Sequence, residues 1–280
     1  MKKLFKILAG IFIFNVAHTQ YYYNDVISNK QNNAQYILTK NAEVKNIWVV
    51  YLNGNGTILP DTIIIEKYNA DYLQSITNFI GDTLQNSILT SFYQDNKIQS
   101  SIEKTKSSET KITYAYNEQD NLKTIYSVSK DLTDTSTNYT VSELHNWLYN
   151  SAGKPLQMLC IKNNADTLTV NFILDEVGNV AEEHWKKKGT DIETYYYYYN
   201  NKNQLTDIVR FNKRVKKLLP DFTFDYNTDG LVTQMLQVPN NNTTDYLIWT
   251  YTYNSKNLKQ QEVCINKQKQ PMGKMVYVYK

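Results

Sequence analysis

The chain is poor in the residues that carry most recognisable chemistry. Among its 280 residues there are two Cys, three His, two Arg, nine Gly and five Pro. Two cysteines, Cys160 and Cys264, cannot staple a small disulfide scaffold, and with no CxxC and no clustered His they give no zinc signature. Charge of one sign is missing as well. Lys2, Lys3 and Lys6 account for the formal +3, and without them 27 bases face 27 acids (30 − 3 = 27), so nothing favours nucleic acid or an anionic membrane. The longest apolar run, Ile7 to Phe14, is far short of the roughly 20 residues that span a bilayer as a helix.

That run does have a meaning. Three lysines precede it, and Ala17-His18-Thr19 follows with small residues at the −3 and −1 positions for cleavage before Gln20. Residues 1–19 therefore read as a secretory signal peptide, which places the mature chain in the periplasm, on the outer cell surface or outside the cell. No Cys lies near the cleavage point to carry a lipid.

What the chain has in abundance is tyrosine, 24 of them, arranged in a repeat. The pattern is an aromatic or apolar residue, any residue, Tyr, Asn or Asp, a short polar stretch, then Leu or Val. It appears as YAYNEQDNL (114–122), WLYNSAGKPL (147–156), FILDEVGNV (172–180), YYYNNKNQL (197–205), FDYNTDGLV (224–232) and YTYNSKNL (251–258). Looser copies at 67–73 and 92–98 extend it. The anchors Tyr68, Tyr93, Tyr116, Tyr149, Leu174, Tyr199, Tyr226 and Tyr253 are 25, 23, 33, 25, 25, 27 and 27 residues apart. Each unit reads as a β-hairpin: strand-forming residues flank Asn, Asp and Gly, which tolerate the left-handed backbone of tight turns. Alternation puts the aromatics on one face and largely Thr, Asn, Asp and Ala on the other.

The expected fold is all-β: an antiparallel meander of about sixteen strands in sequence order. Accumulated twist should make that sheet strongly curved or spiralling. Residues 20–45 differ, because Val26, Ile27, Ala34, Ile37, Leu38 and Ala42 recur at helical spacing, with Asn24 or Asp25 placed to cap. We expect a helical cap here, covering an end or edge of a repeat domain over 46–280.

The Y-x-Y-[ND]-x-x-[GN]-x-[LV] units resemble the YD repeats of Rhs-type bacterial surface proteins over roughly residues 60–265. Large Rhs proteins enclose a toxin in a spiral of such strands. This chain is too short for that, and looks more like small exported YD-like proteins of AT-rich Gram-negative bacteria. The resemblance implies a β-repeat fold at the envelope and carries over no catalytic residue.

The search for chemistry yields few candidates. His145 and His184 sit on predicted strands with no base–orienter–nucleophile set, and Glu182 and Glu183 alternate to opposite faces, against a paired-carboxylate glycosidase. Gly54-Asn55-Gly56-Thr57 has no Lys-Ser/Thr ending and is no phosphate loop. No cofactor is implied. Three tripeptides, Asp61-Thr62-Ile63, Asp82-Thr83-Leu84 and Asp166-Thr167-Leu168, resemble an acceptor for periplasmic O-glycosylation, with Thr62, Thr83 and Thr167 as the sites. Tyr196 and Tyr198 are aromatic where other units place Thr, Asn or Asp, and if Lys188 opposes Asp191 across a two-residue turn, Trp185 joins them, with Ile208 alongside. That patch, Trp185, Tyr196 and Tyr198, suits a sugar ring or a protein partner.

The reading is an exported, non-enzymatic β-repeat protein that binds or scaffolds at the envelope or cell surface, with a glycan or envelope protein as partner and no nucleic acid. Two other classes stay open: a secreted glycan-active enzyme, and an outer-membrane barrel, which would need an aliphatic outer band where these strands offer mainly Tyr, Thr, Gln and Asn. The cysteines, at equivalent positions of units four apart, should be free thiols in an open sheet.

Overall fold

A computed structural model of the chain describes residues 21–81, 86–133, 140–238 and 245–280, with the backbone alone at 60–62. The expected signal peptide and Thr83 lie outside the described residues. Among the described residues one helix, α1 (Asn24–Asn41), precedes the strands β1 (Asn46–Asn53), β2 (Ile58–Tyr68), β3 (Gln74–Ile80), β4 (Ser87–Gln94), β5 (Lys97–Lys104) and β6 (Ser108–Tyr116). There follow β7 (Leu122–Asp131), β8 (Thr140–Tyr149), β9 (Pro155–Lys162), β10 (Asp166–Leu174), β11 (Val180–Lys187) and β12 (Thr190–Tyr199). The chain ends with β13 (Leu205–Asn212), β14 (Lys217–Tyr226), β15 (Val232–Gln237), β16 (Leu247–Tyr253), β17 (Lys259–Asn266) and β18 (Pro271–Tyr279).

All pairings are antiparallel and follow sequence order, as a meander requires, but the sheet has 18 strands and it closes. β18 pairs with β1 from Ile47–Tyr279 to Asn53–Gly273, and β1 pairs on its other side with β2. The expected open or spiralling sheet is thereby corrected. A spiral would leave two rows of unpaired backbone groups, and the β1–β18 ladder satisfies both. The helix consequently has no edge to cover.

The repeat motif is explained by one rim of this barrel. In each short turn the Asn or Asp after the anchor accepts two backbone N–H groups, two and four residues on. Asn150 takes Ala152 and Lys154, Asp175 takes Val177 and Asn179, Asn200 takes Lys202 and Gln204, and Asn254 takes Lys256 and Leu258, all at 2.8–3.1 Å. The third residue on has positive φ, which selects Gly153 (+69°) and Gly178 (+85°) or Asn203 (+59°) and Asn257 (+60°). The anchor tyrosine reaches sideways to the preceding hairpin. Tyr149 donates to the Leu122 carbonyl, Tyr199 to Val180, Tyr226 to Leu205, Tyr253 to Val232 and Tyr279 to Lys259, at 2.5–2.9 Å. Tyr is therefore required by a hydrogen bond as well as by packing.

The aromatic face points inward. Ile112, Tyr114, Trp147, Met158, Cys160, Val170, Phe172, Tyr195, Tyr197 and Ile208 are buried in one cluster; Tyr51, Trp249, Leu258, Cys264 and Met275 belong to a second. On β3, β4, β5 and β7 small polar residues share the inward face, Ser75, Thr77, Ser91, Ser101 and Ser127, beside the buried Phe79, Leu122 and Ile125. The outward face departs from the expected Thr, Asn and Asp. On neighbouring strands β18 and β1–β4 it exposes Val278, Trp48, Ile76, Ile80, Ile88 and Phe92. On β6, β11 and β13 it carries Lys111, Glu182, His184, Lys186 and Asp207.

α1 crosses the rim that bears the short turns, and the residues before it enter the interior. Tyr21, Tyr22 and Val26 join the first cluster, while Leu38 and Ala42 pack on the second. Its buried face is Asp25, Val26, Asn29, Tyr36 and Thr39, more polar than the apolar spacing implied. Asn29 Nδ2 donates to the Tyr116 hydroxyl at 3.0 Å, the Ile98 N–H donates to Asn33 at 3.0 Å, and Tyr36 stacks on Tyr93 with ring centroids 4.1 Å apart. Neither Asn24 nor Asp25 caps the helix; the N-cap is Tyr23, with no side-chain cap.

Candidate functional site

The missing cap is supplied from the barrel wall. Glu183, on β11 and fully buried, accepts the Tyr22 N–H at 2.6 Å and the Tyr23 N–H at 3.0 Å. It also accepts Trp185 Nε1 at 2.6 Å and the Tyr197 hydroxyl at 2.5 Å. Burial pushes this carboxyl up, and these donors pull it back. The node is a clamp that holds the N-terminal segment inside the barrel.

A second buried node lies beside it. Glu143 and His145 are two apart on β8, so both face inward, and the register sets Cys160 of β9 opposite His145. Asp25 of α1 meets His145 Nδ1 at 2.6 Å, and Trp147 Nε1 donates to the same carboxylate at 3.3 Å. His145 Nε2 lies 2.8 Å from Glu143 Oε1, the Cys160 thiol donates to that oxygen at 3.4 Å, and Lys162 pairs with Glu143 Oε2 at 3.3 Å. The Tyr22 hydroxyl donates to Cys160 Sγ at 3.7 Å, and its ring stands edge-on to His145. Burial lowers the basicity of His145, but the charge and hydrogen bond of Asp25 outweigh it, with Cys160 and Glu143 adding, so the imidazole is held well above its ordinary value. Burial likewise opposes ionisation of Glu143, yet His145 and Lys162 hold its carboxyl down at about 2. The sequence alone shows no base–orienter–nucleophile set around His145. The signal was present in Glu143-x-His145 on one strand face, with Cys160 across the hairpin.

The sequence-derived patch divides. A bulge between Trp185 and Lys186 sets Trp185 opposite Glu193, so the tryptophan turns inward onto Tyr22 and Glu183, and Ile208 is fully buried in the interior. The assumed Lys188–Asp191 register lacks that bulge and so puts Trp185 on the wrong face; Ile208 is turned inward by a separate bulge between Tyr198 and Tyr199, which sets it opposite Tyr197. Tyr196 and Tyr198 do share the outer wall, beside Glu182, in a shallow groove of about 350 Å³. His184 is also outward, 2.6 Å from Glu182. Thr167 is exposed on β10, next to Asp166, which pairs with Lys187 at 2.7 Å; Thr62 is placed in β2 by its backbone alone.

Both thiols are free and buried. In a ring of 18 strands, β9 and β17 are eight strands apart one way and ten the other (18 − 8 = 10), so closure leaves the two cysteines on opposite sides.

No protein-family model and no curated protein matches the chain. Solved structures are similar at low identity. A porin-like protein from Bacteroides uniformis is 10% identical with a TM-score of 0.40, covering 85% of this chain and 98% of its own. A Photorhabdus luminescens Tc holotoxin pore carrying a TccC3 variant is 12% identical at 0.31, with 85% of this chain matched to 17% of that one. A second porin-like protein, from Bacteroides vulgatus, is 11% identical at 0.29. No residue role passes from any of them to this chain. Among the described residues no helix is long and apolar enough to cross a membrane, which says nothing of strands.

Proposed function

We propose that the chain is an exported, closed β-barrel of the cell envelope that binds or scaffolds through its outer wall. The observation that supports this best is the packed interior: Met158, Cys160, Val170 and Ile208 have no exposed surface, and the segment before α1 is clamped among them. With the inward face given to packing, contacts with a partner fall to the outside, where Tyr196 and Tyr198 offer a half-open aromatic surface beside Glu182 for a glycan or an envelope protein. The Asn- and Gly-built turns also support a place among YD-repeat proteins. A Tyr196→Ala, Tyr198→Ala variant should keep its fold and lose binding on a glycan array; full retention of binding refutes this wall as the contact.

A second reading, an outer-membrane barrel, draws support from closure itself, which removes every edge as lipid requires. It is favoured further by the aliphatic sector around Trp48, Ile76, Ile80 and Ile88. Against it stand Lys111, Glu182, Lys186 and Asp207 on the outward face, where cations near a bilayer midplane cost about 2–4 kcal/mol each. Cell fractionation with gels of heated and unheated samples separates the two. Recovery without detergent and unchanged migration supports the first reading; detergent dependence with heat-modifiable migration supports the second.

A further inference from the structure

We propose that Glu143, His145 and Cys160 form a zinc site inside the barrel, with Asp25 orienting the histidine. The three residues offer a carboxylate oxygen, an imidazole nitrogen and a thiol sulfur, all within 4.8 Å of one another. Tetrahedral zinc, with bonds of about 2.0–2.3 Å, sets its ligand atoms roughly 3.3–3.8 Å apart. The Glu143–Cys160 separation of 3.4 Å already matches, and the Glu143–His145 separation of 2.8 Å needs to open by about half an ångström. Mixed Cys, His and carboxylate donors at such a spacing suit zinc over magnesium or calcium, which take oxygen alone.

A second observation points the same way. Asp25 grips Nδ1 of His145 at 2.6 Å, which fixes the ring and aims Nε2 at Glu143 and Cys160, the carboxylate–histidine arrangement that accompanies metal ligation. The Tyr22 hydroxyl lies beside the site, 3.7 Å from Cys160 Sγ.

Because Asp25 and Tyr22 belong to the N-terminal segment, the ion would fasten that segment to β8 and β9, and loading would accompany folding.

The test uses the full mature chain, refolded with Co²⁺ as a spectroscopic stand-in for zinc. The proposal expects one cobalt per chain, a thiolate-to-cobalt charge-transfer band, and displacement by Zn²⁺. Cys160→Ser should reduce the band to background, while Cys264→Ser, at the equivalent position of β17 with no His or carboxylate set across from it, should leave it intact. If Cys160→Ser does not fold, His145→Gln examined for the same band decides instead. No band in the parent, or a band that survives both Cys160→Ser and His145→Gln, overturns the site and leaves His145 as an ion bridge between two carboxylates.

Discussion

Replacing Glu183 by Ala should separate the barrel from its N-terminal segment. The carboxylate accepts two backbone N–H groups, the Trp185 indole and the Tyr197 hydroxyl, all of them buried or half-buried. A buried donor left unmade costs about 1–3 kcal/mol. Four would sum to more, but removing a buried carboxylate also removes its desolvation cost, so the net loss should be on the order of 3–5 kcal/mol, as for other broken buried charge networks. Glu262 supplies the control. It is the equivalent residue of β17, equally buried, with Tyr277 and Lys259 as its partners. Urea denaturation followed by tryptophan fluorescence measures the loss for each, and limited proteolysis reports release of residues 21–41. Glu183→Ala should unfold at much lower urea and expose the N-terminal segment, whereas Glu262→Gln should leave that segment protected. A loss below about 1 kcal/mol for Glu183→Ala would refute the clamp.

The tyrosine ladder predicts that Tyr199→Phe, which keeps the ring and deletes the bond to the Val180 carbonyl, costs about 0.5–1.5 kcal/mol in the same assay. Gly153→Ala should cost about 1 kcal/mol or more, because its φ is +69° and a Cβ would meet Asn121 at 3.0 Å. Thiol titration of the unfolded, unreduced protein should find both cysteines free; in the folded protein Cys264, whose thiol burial pushes up to about 12, should stay unreactive. In metal-free protein the Asp25–His145–Glu143 bridge gives a stability maximum across pH. Glu143, held near 2, stabilises above its ordinary 4.5 and loses that as pH falls toward 2; His145, held high, stabilises below its ordinary 6.5 and loses that as pH rises through its folded value. Melting temperature against pH in excess chelator checks this, and a profile flat from pH 4 to 9 would contradict it.

The hairpins, their order and their inward aromatic face were legible because each turn is written locally: Asn150, Asn200 and Asn254 build it, and Gly or Asn three residues on completes it. Closure was not legible, since the β1–β18 ladder joins Ile47 to Tyr279 across the whole chain, and nothing local distinguishes an edge strand from one with a distant partner. The outer face was misjudged for a related reason. The repeat fixes only the residues nearest the turn, Thr252 or Asn171, while Ile76, Ile80 and Ile88 lie beyond its reach. One of the three patch aromatics is misplaced by one bulge: the extra residue Ile192 on β12 turns Trp185 from outside to inside. The His145 node was only partly legible: Glu143 and His145 share a strand face by alternation, but Asp25 comes from the helix and Cys160 is set opposite only by the β8–β9 register.

Ring closure is the claim on which the rest depends, and paired cysteines on the outer wall test it most directly. Val50 of β1 lies opposite Ile63 on β2 and opposite Val276 on β18. In a chain lacking Cys160 and Cys264, Val50→Cys with Ile63→Cys and Val50→Cys with Val276→Cys are each oxidised and examined for an intramolecular disulfide. A closed barrel predicts that both pairs cross-link, to a similar extent and within one chain. An open or spiralling sheet would form the first bond and leave the second pair as free thiols.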